Sequence, residues 1–251
     1  MMKKTNRWML SGILVLMLAA CAFDTPKWNI GDGRKIEPSS HIVKHEYRQP
    51  PFDKVDISAV ANVKVIQAGS SDYRVVLSCP ENYVELFLFE TEDGELEVKF
   101  VRDNVNIDPE KVDVTVYVPR LHSLDNSGVA SVEVNRLKAD RLEVENSGVG
   151  TLYLSGLDIT RLDAECSGVG SIELSGRADE ADLECSGVGS IRAEQLVSRA
   201  VRADVSGVGG IRCHASERIN GRVSGVGGLK YGGKPKDKQL RRDGVGEIVE
   251  L

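Results

Sequence analysis

Five carboxylate side chains recur at intervals of roughly one repeat in the second half of this chain. They are Asp125, Glu145, Glu165, Glu184 and Asp204. Carboxylates held side by side could bind Ca²⁺, which takes six to eight oxygen ligands with loose geometry. They could equally cleave a polysaccharide, or form a solvated acidic face. The calcium-coil repeat Gly-Gly-x-Gly-x-Asp is absent, so we favour a solvated acidic face that could contact a partner, with Ca²⁺ as the alternative.

Other reactive side chains form no recognisable catalytic or zinc-binding set. Serine precedes glycine repeatedly, but not within a Gly-x-Ser-x-Gly motif, which marks a nucleophilic serine. The four histidines and five cysteines lack zinc-ligand spacing, and we expect neither a cofactor nor enzymatic activity. Cys166 and Cys185 are one repeat apart, and stacked repeats would place their Cα atoms within disulfide range. The sequence leaves open whether they form a disulfide or only pack.

A short motif, Ser-Gly-Val-Gly or a close variant, recurs seven times and indicates how these side chains are positioned. Its first glycines are Gly128, Gly148, Gly168, Gly187, Gly207, Gly225 and Gly244, spaced by 20, 20, 19, 20, 18 and 19 residues. This period suits one turn of a β-solenoid. The glycines are expected where the backbone bends between two strands, because glycine tolerates positive φ.

Apolar residues alternate with polar residues inside each repeat, and the same columns return in the next repeat. One apolar column is Val132, Leu152, Ile172, Ile191, Ile211, Leu229 and Ile248, and the turn valines are Val149, Val169, Val188, Val208 and Val226. We predict that both columns point into the coil interior, because period-2 strands stack like residues. Asn126 and Asn146 are expected to form a buried amide ladder.

Residues 49–251 are predicted to form a single all-β domain. About seven coils make up its C-terminal part, while the stretch from Phe52 to Pro119 contains short, less regular strand patterns. The hairpin signal Glu92-Asp93-Gly94-Glu95 lies within that stretch, and such a signal joins antiparallel strands.

The N-terminus is predicted to be a targeting segment. Residues 1–20 combine basic residues with a short apolar run, as in a signal peptide. Leu18-Ala19-Ala20-Cys21 resembles the end of a bacterial lipoprotein signal, which implies lipid on Cys21, and residues 21–48 are interpreted as a tether. Ala22 favours the outer over the inner membrane by the enterobacterial rule. Loss of residues 1–20 removes three basic and no acidic residues, which takes the net charge from −6 to −9 and disfavours nucleic acid as a partner.

The ordered motifs of the chain resemble the head GIN domain family of autotransporter adhesins. The resemblance rests on Phe52-x-x-Val55-x-Ile57, Gly94-x-Leu96-x-Val98, the segment Val118 to Gly128, the glycine coils and Tyr231-x-Gly233-x-Pro235. It implies a right-handed parallel β-helix, no known enzyme activity, no established cofactor and a role at the cell surface. An autotransporter ends in a membrane β-barrel, for which 251 residues leave no room, so lipid on Cys21 is expected to replace it as the anchor.

The leading hypothesis is therefore a lipid-anchored, non-enzymatic β-solenoid of a bacterial envelope. It would present a surface to an unknown protein or glycan, facing either the periplasm or the exterior. The alternatives are a polysaccharide-acting β-helix enzyme and a periplasmic scaffold or stress-signalling module. The sequence does not specify the oligomeric state.

Overall fold

The computed structural model describes residues 35–251 as strands stacked into a solenoid. The predicted signal peptide, Cys21 and residues 21–34 lie outside the described residues. Within residues 35–251, the helical segments are all too short or too polar to cross a membrane.

Seventeen strands and two short 3₁₀ helices, Glu81–Leu86 and Pro109–Lys111, make up the described chain. The strands are β1 Ile42–Arg48, β2 Lys54–Ile57, β3 Val60–Gln67, β4 Arg74–Pro80, β5 Phe87–Glu92, β6 Glu95–Phe100, β7 Asp113–Val118, β8 Ser123–Asn126, β9 Val129–Asn135, β10 Lys138–Asn146, β11 Val149–Cys166, β12 Val169–Cys185, β13 Val188–Val205, β14 Val208–Val223, β15 Gly228–Gly232, β16 Asp237–Arg242 and β17 Ile248–Glu250. β11 to β14 are long because each follows nearly a whole coil.

The strands pair in parallel, coil upon coil, as the repeat predicts. β12 pairs along its length with β11 on one side and β13 on the other. The result is a solenoid of about six turns, which confirms the predicted fold class. The N-terminal part extends the same stack, because β2 pairs in parallel with β8 and β3 with β9.

The column that follows the turn forms the interior of the solenoid. Leu152, Ile172 and Ile191 are fully buried and lie in register from coil to coil. The prediction for the turn valines is wrong: Val149, Val169, Val188, Val208 and Val226 are 48–64% exposed. The reason is the period of the strand. A turn valine precedes the buried column by three positions, an odd number, so it points to the opposite face.

Close stacking of the turns explains the first glycine of each motif. The N–H groups of Ser147 and Gly148 both donate to the carbonyl oxygen of Asn126 in the coil below. A Cβ on Gly148 would lie 2.2 Å from the carbonyl oxygen of Gly128, so backbone proximity excludes a side chain there. Positive φ, the reason predicted from sequence, instead applies to the second glycine in several coils, such as Gly150 with φ 138°.

The N-terminal part is the less regular region that the sequence indicates. β1 pairs antiparallel with β4, β4 with β7, and β5 with β6 across the predicted hairpin turn. β1 lies inside the segment interpreted as a tether, so that interpretation is wrong for residues 42–48. Its residues pair with β4 residues 26 to 38 positions further on, so no local sequence signal indicates this pairing. The chain is also held before β1, since Tyr83 donates to the carbonyl oxygen of Ile36 at 2.6 Å.

Candidate binding faces

The five predicted carboxylates lie in one register on the outside of the strands that precede each turn. Glu145 pairs with Asp125 and Glu165, Glu165 with Glu184, and Glu184 with Asp204. We call this row the acidic face. It ends at Arg222, which pairs with Asp204.

The acidic face continues beyond the residues that the sequence singled out. Asp56 pairs with Asp125, and Glu97 pairs with Asp56. These two carboxylates were missed because their coils lack the Ser-Gly-Val-Gly motif. The alternation in Val55-Asp56-Ile57 and Leu96-Glu97-Val98 is the signal that could have placed them outward.

Asp125 is the most perturbed carboxyl of the acidic face. Burial, together with the nearby charges of Glu145, Asp56 and Glu95, raises its pKa to about 6. Its Oδ1 is buried and has no hydrogen-bond partner within the described residues. Burial and the charges of Glu165 and Asp204 also raise the pKa of Glu184. The face therefore carries less negative charge in mildly acidic solution than its composition suggests.

A second acidic row beside the first is neutralised by arginines. Glu143, Asp163 and Asp182 follow one another in register. Arg141 Nη2 lies 2.8 Å from Glu143 and 3.1 Å from Asp163. Arg202 Nη1 lies 3.2 Å from Asp182. A shallow depression of about 360 Å³ lies over both rows, and no aromatic side chain lines it, so it lacks the walls that the polysaccharide-enzyme alternative requires.

No group of three or more histidine, cysteine, aspartate or glutamate side chains in residues 35–251 is arranged to hold a metal ion. Adjacent carboxylates of the acidic face come from separate coils. Their spacing follows the distance between parallel strands, about 4.8 Å. Ca²⁺ ligands instead converge on one point at 2.3–2.6 Å from the ion.

Along the solenoid, the buried column beneath the acidic face consists first of asparagine, then of cysteine and then of valine side chains. Asn126 Nδ2 donates to Asn146 Oδ1 at 2.8 Å, and Asn146 Nδ2 donates to the carbonyl oxygen of Gly150 at 3.1 Å. The predicted ladder is therefore present, although Asn126 Oδ1 has no partner within the described residues. Cys166 and Cys185 lie in register as free, buried thiols. Cys166 Sγ donates to the carbonyl oxygen of Gly170 at 3.9 Å, and Cys185 Sγ donates to that of Gly189 at 3.3 Å. Interaction with Cys185 and burial raise the pKa of Cys166, whereas interaction with Cys166 lowers the pKa of Cys185 to about 7.

The strands that follow each turn carry two further exposed rows. The valine row consists of Val129, Val149, Val169, Val188, Val208, Val226 and Val245, all 47–86% exposed. Beside it, the outward charges change sign along the solenoid. Glu133 and Glu173 belong to earlier coils, and the basic column of Arg192, Arg212 and Lys230 follows.

Comparisons with known proteins agree on the family and the fold. A family model described as "Putative auto-transporter adhesin, head GIN domain" matches residues 51–235. A crystal structure of a "putative adhesin" from Bacteroides fragilis is 32% identical, with a TM-score of 0.82, and covers 86% of this chain and 100% of its own. A "putative adhesin" and a "putative lipid binding protein", both from Parabacteroides distasonis, are each 19% identical with a TM-score of 0.69. Each covers 87% of this chain and 100% of its own. The curated proteins include no match.

Proposed function

Since the chain belongs to the family described as "Putative auto-transporter adhesin, head GIN domain", we propose that it is a non-enzymatic adhesin of a bacterial envelope. Its solenoid would bind a partner through one of its flat outer faces. The observation that carries this proposal is the family match over residues 51–235. The rows of exposed side chains support it, because a solenoid offers an extended surface for binding.

The anchor in this proposal is lipid on Cys21. The support is the Leu18-Ala19-Ala20-Cys21 ending after a basic and apolar start. Several acyl chains on one cysteine hold a protein stably to a membrane, whereas one chain is marginal. With Ala22 next to the lipidated residue, we place the protein at the outer membrane. The name "lipid binding protein" of one structural neighbour adds no argument for this anchor.

Cell fractionation and adhesion assays test the two halves of the proposal separately. Cells carrying the intact chain should retain it in the membrane fraction and adhere to a glycan-coated or host-cell surface better than cells lacking it. Cys21→Ser should move the protein to the soluble fraction, while Cys79→Ser, at a buried cysteine of the folded domain, should not. Retention of Cys21→Ser in the membrane would contradict lipidation. Equal adhesion with and without the protein would contradict the adhesin role.

A further inference from the structure

A groove with three distinct surfaces runs along the last coils of the solenoid. One wall is the basic column of Arg192, Arg212 and Lys230. The opposite wall is apolar and includes Val226 and Val245, which are 64% and 86% exposed. The floor consists of glycines: Gly209, Gly210, Gly227, Gly228 and Gly246. The groove encloses about 600 Å³.

The floor is open because one column changes from hydroxyl residues to glycine. In earlier coils this column contains Ser131, Thr151, Ser171 and Ser190 in register. It then contains Gly210 and Gly228, which pair with each other, and Glu247 in the coil that follows. The missing side chains expose the backbone beside the basic column. The same coils therefore supply both the depression and its positive charge.

The three cations are exposed enough to accept a ligand. Their side chains are 53%, 56% and 38% exposed for Arg192, Arg212 and Lys230. Each has one acidic neighbour: Glu173 at 2.8 Å, Glu194 at 4.0 Å and Glu247 at 3.5 Å, respectively. Exposed ion pairs of this kind contribute little to stability, and arginine has five N–H donors. A ligand anion can therefore bind without a large cost from the existing pairs.

We propose that this groove binds a linear acidic polysaccharide, which names the ligand class of the adhesin role and rests on it. The three basic residues lie in register, one per coil, so their backbones are about 4.8 Å apart, as parallel strands dictate. A linear polymer with an acidic group on every sugar presents several anionic groups along this row. The glycine floor lets the chain approach the backbone, and the valine wall contacts the C–H faces of the sugar rings.

Charge, and not ring stacking, determines recognition in this groove. No aromatic side chain lines it, so a neutral glycan lacks the platform that it usually needs. A nucleic acid is the other linear polyanion to compare. It fits less well, because single-strand binding relies on aromatic stacking and long basic tracks.

Binding of defined polymers to the purified full chain tests the proposal. The probes are polygalacturonate, uncharged dextran and a single-stranded DNA oligonucleotide, measured by calorimetry at low and moderate salt. Polygalacturonate should bind, dextran should not, and DNA should bind more weakly. The triple variant Arg192→Gln, Arg212→Gln, Lys230→Gln should weaken polygalacturonate binding about tenfold or more, as expected when several interface charges are lost.

Two further variants distinguish binding in the groove from a general effect of the protein's net charge. The control triple Arg161→Gln, Arg177→Gln, Arg202→Gln removes the same charge from side chains that are 57%, 70% and 60% exposed elsewhere, and should leave affinity unchanged. Gly228→Ser restores the hydroxyl column of the earlier coils. A Cβ there comes no closer than 3.4 Å to Glu247, so the variant should fold and bind more weakly. Circular dichroism confirms the fold of each variant.

Three outcomes would overturn the proposal: no binding of polygalacturonate, equal losses in the two triple variants, or DNA binding as tight as that of the acidic glycan. The adhesion assay distinguishes this failure from failure of the adhesin role. Adhesion that depends on the protein but is unchanged in the groove triple would overturn the groove alone. Loss of adhesion in the groove triple but not in the control triple would support both.

Discussion

Asp125 shows that the environment of one residue can shift its pKa away from that of carboxylates that look equivalent in the sequence. In the sequence it is one of five equivalent carboxylates. In the structure it lies between Asp56 and Glu145, with one oxygen atom buried and unpartnered within the described residues. Its pKa of about 6 exceeds the ordinary value near 3.9 because its charged form is poorly solvated and faces other carboxylates.

The raised pKa predicts that stability falls as pH rises. Below the pKa of the unfolded chain, Asp125 is protonated in both states and contributes no penalty. Between about pH 4 and 6 the unfolded state ionises first, so the folded state loses stability. Asp125→Asn should remove this part of the pH dependence and stabilise the protein at pH 7 by on the order of 1 kcal/mol. Thermal unfolding at pH 4.5 and 7 measures both effects.

Asp163→Asn is the control for the Asp125 prediction. Asp163 is paired with Arg141 at 3.1 Å, so its substitution should not raise stability at pH 7. If the stability of Asp125→Asn depends on pH in the same way as that of the native chain, other carboxylates cause this dependence.

The turn is the element that couples one coil to the next. Each turn donates two backbone N–H groups to the carbonyl oxygen below, for example from Ser167 and Gly168 to Asn146 at 3.2 and 2.9 Å. Between these bonds the backbones lie too close for a side chain. The turn therefore sets the rise of the solenoid, and the buried columns fill the space that this rise leaves.

Gly168→Ala should destabilise the protein strongly. Its Cβ would lie 2.1 Å from the carbonyl oxygen of Gly148 and 2.4 Å from that of Ser147, so the turn must separate from its neighbour. We expect the free energy of unfolding to fall by about 1–3 kcal/mol or more, as for forced overpacking. Urea unfolding measures it, with Gly69→Ala as the control, since no atom lies within 4 Å of a Cβ at that position. Equal midpoints for the two variants would contradict the stacking argument.

Residues 35–251 form a one-dimensional stack, and the last coil within them is weakly supported. β12 has a parallel neighbour on each side, whereas β16 pairs with β14 alone within the described chain, and all six of its residues are exposed. In such stacks each unit is stabilised chiefly by contacts with its neighbours. The basic groove lies next to this less supported end.

Amide hydrogen exchange should follow the order of the stack. Peptides that cover β16 and β17 should exchange faster than peptides from β11 and β12, because local opening at the end breaks fewer contacts. Mass spectrometry of the full chain measures this order. Binding of polygalacturonate should protect residues 209–212 and 226–230 more than the acidic face. Uniform exchange along the solenoid would contradict a stack stabilised by its neighbours.

The seven glycine motifs and the alternation within each repeat determined the parallel coils, the stacking of Asn126 on Asn146, and the register of the acidic face. These features follow from local periods, which a sequence displays directly. The same alternation also determined that the turn valines point outward, three positions from Leu152 and its counterparts, although the interior was predicted for them.

The features that depend on pairing between distant segments of the chain were determined only by the tertiary structure. Asp56 and Glu97 belong to the acidic face, and β1 belongs to the folded domain, through partners at least 26 positions away along the chain. The groove likewise arose only when Gly210 and Gly228 were stacked beside Arg212 and Lys230. A linear pattern records which residues share a column, but the depth and solvation of a surface are set by the side chains that neighbouring coils bring to it.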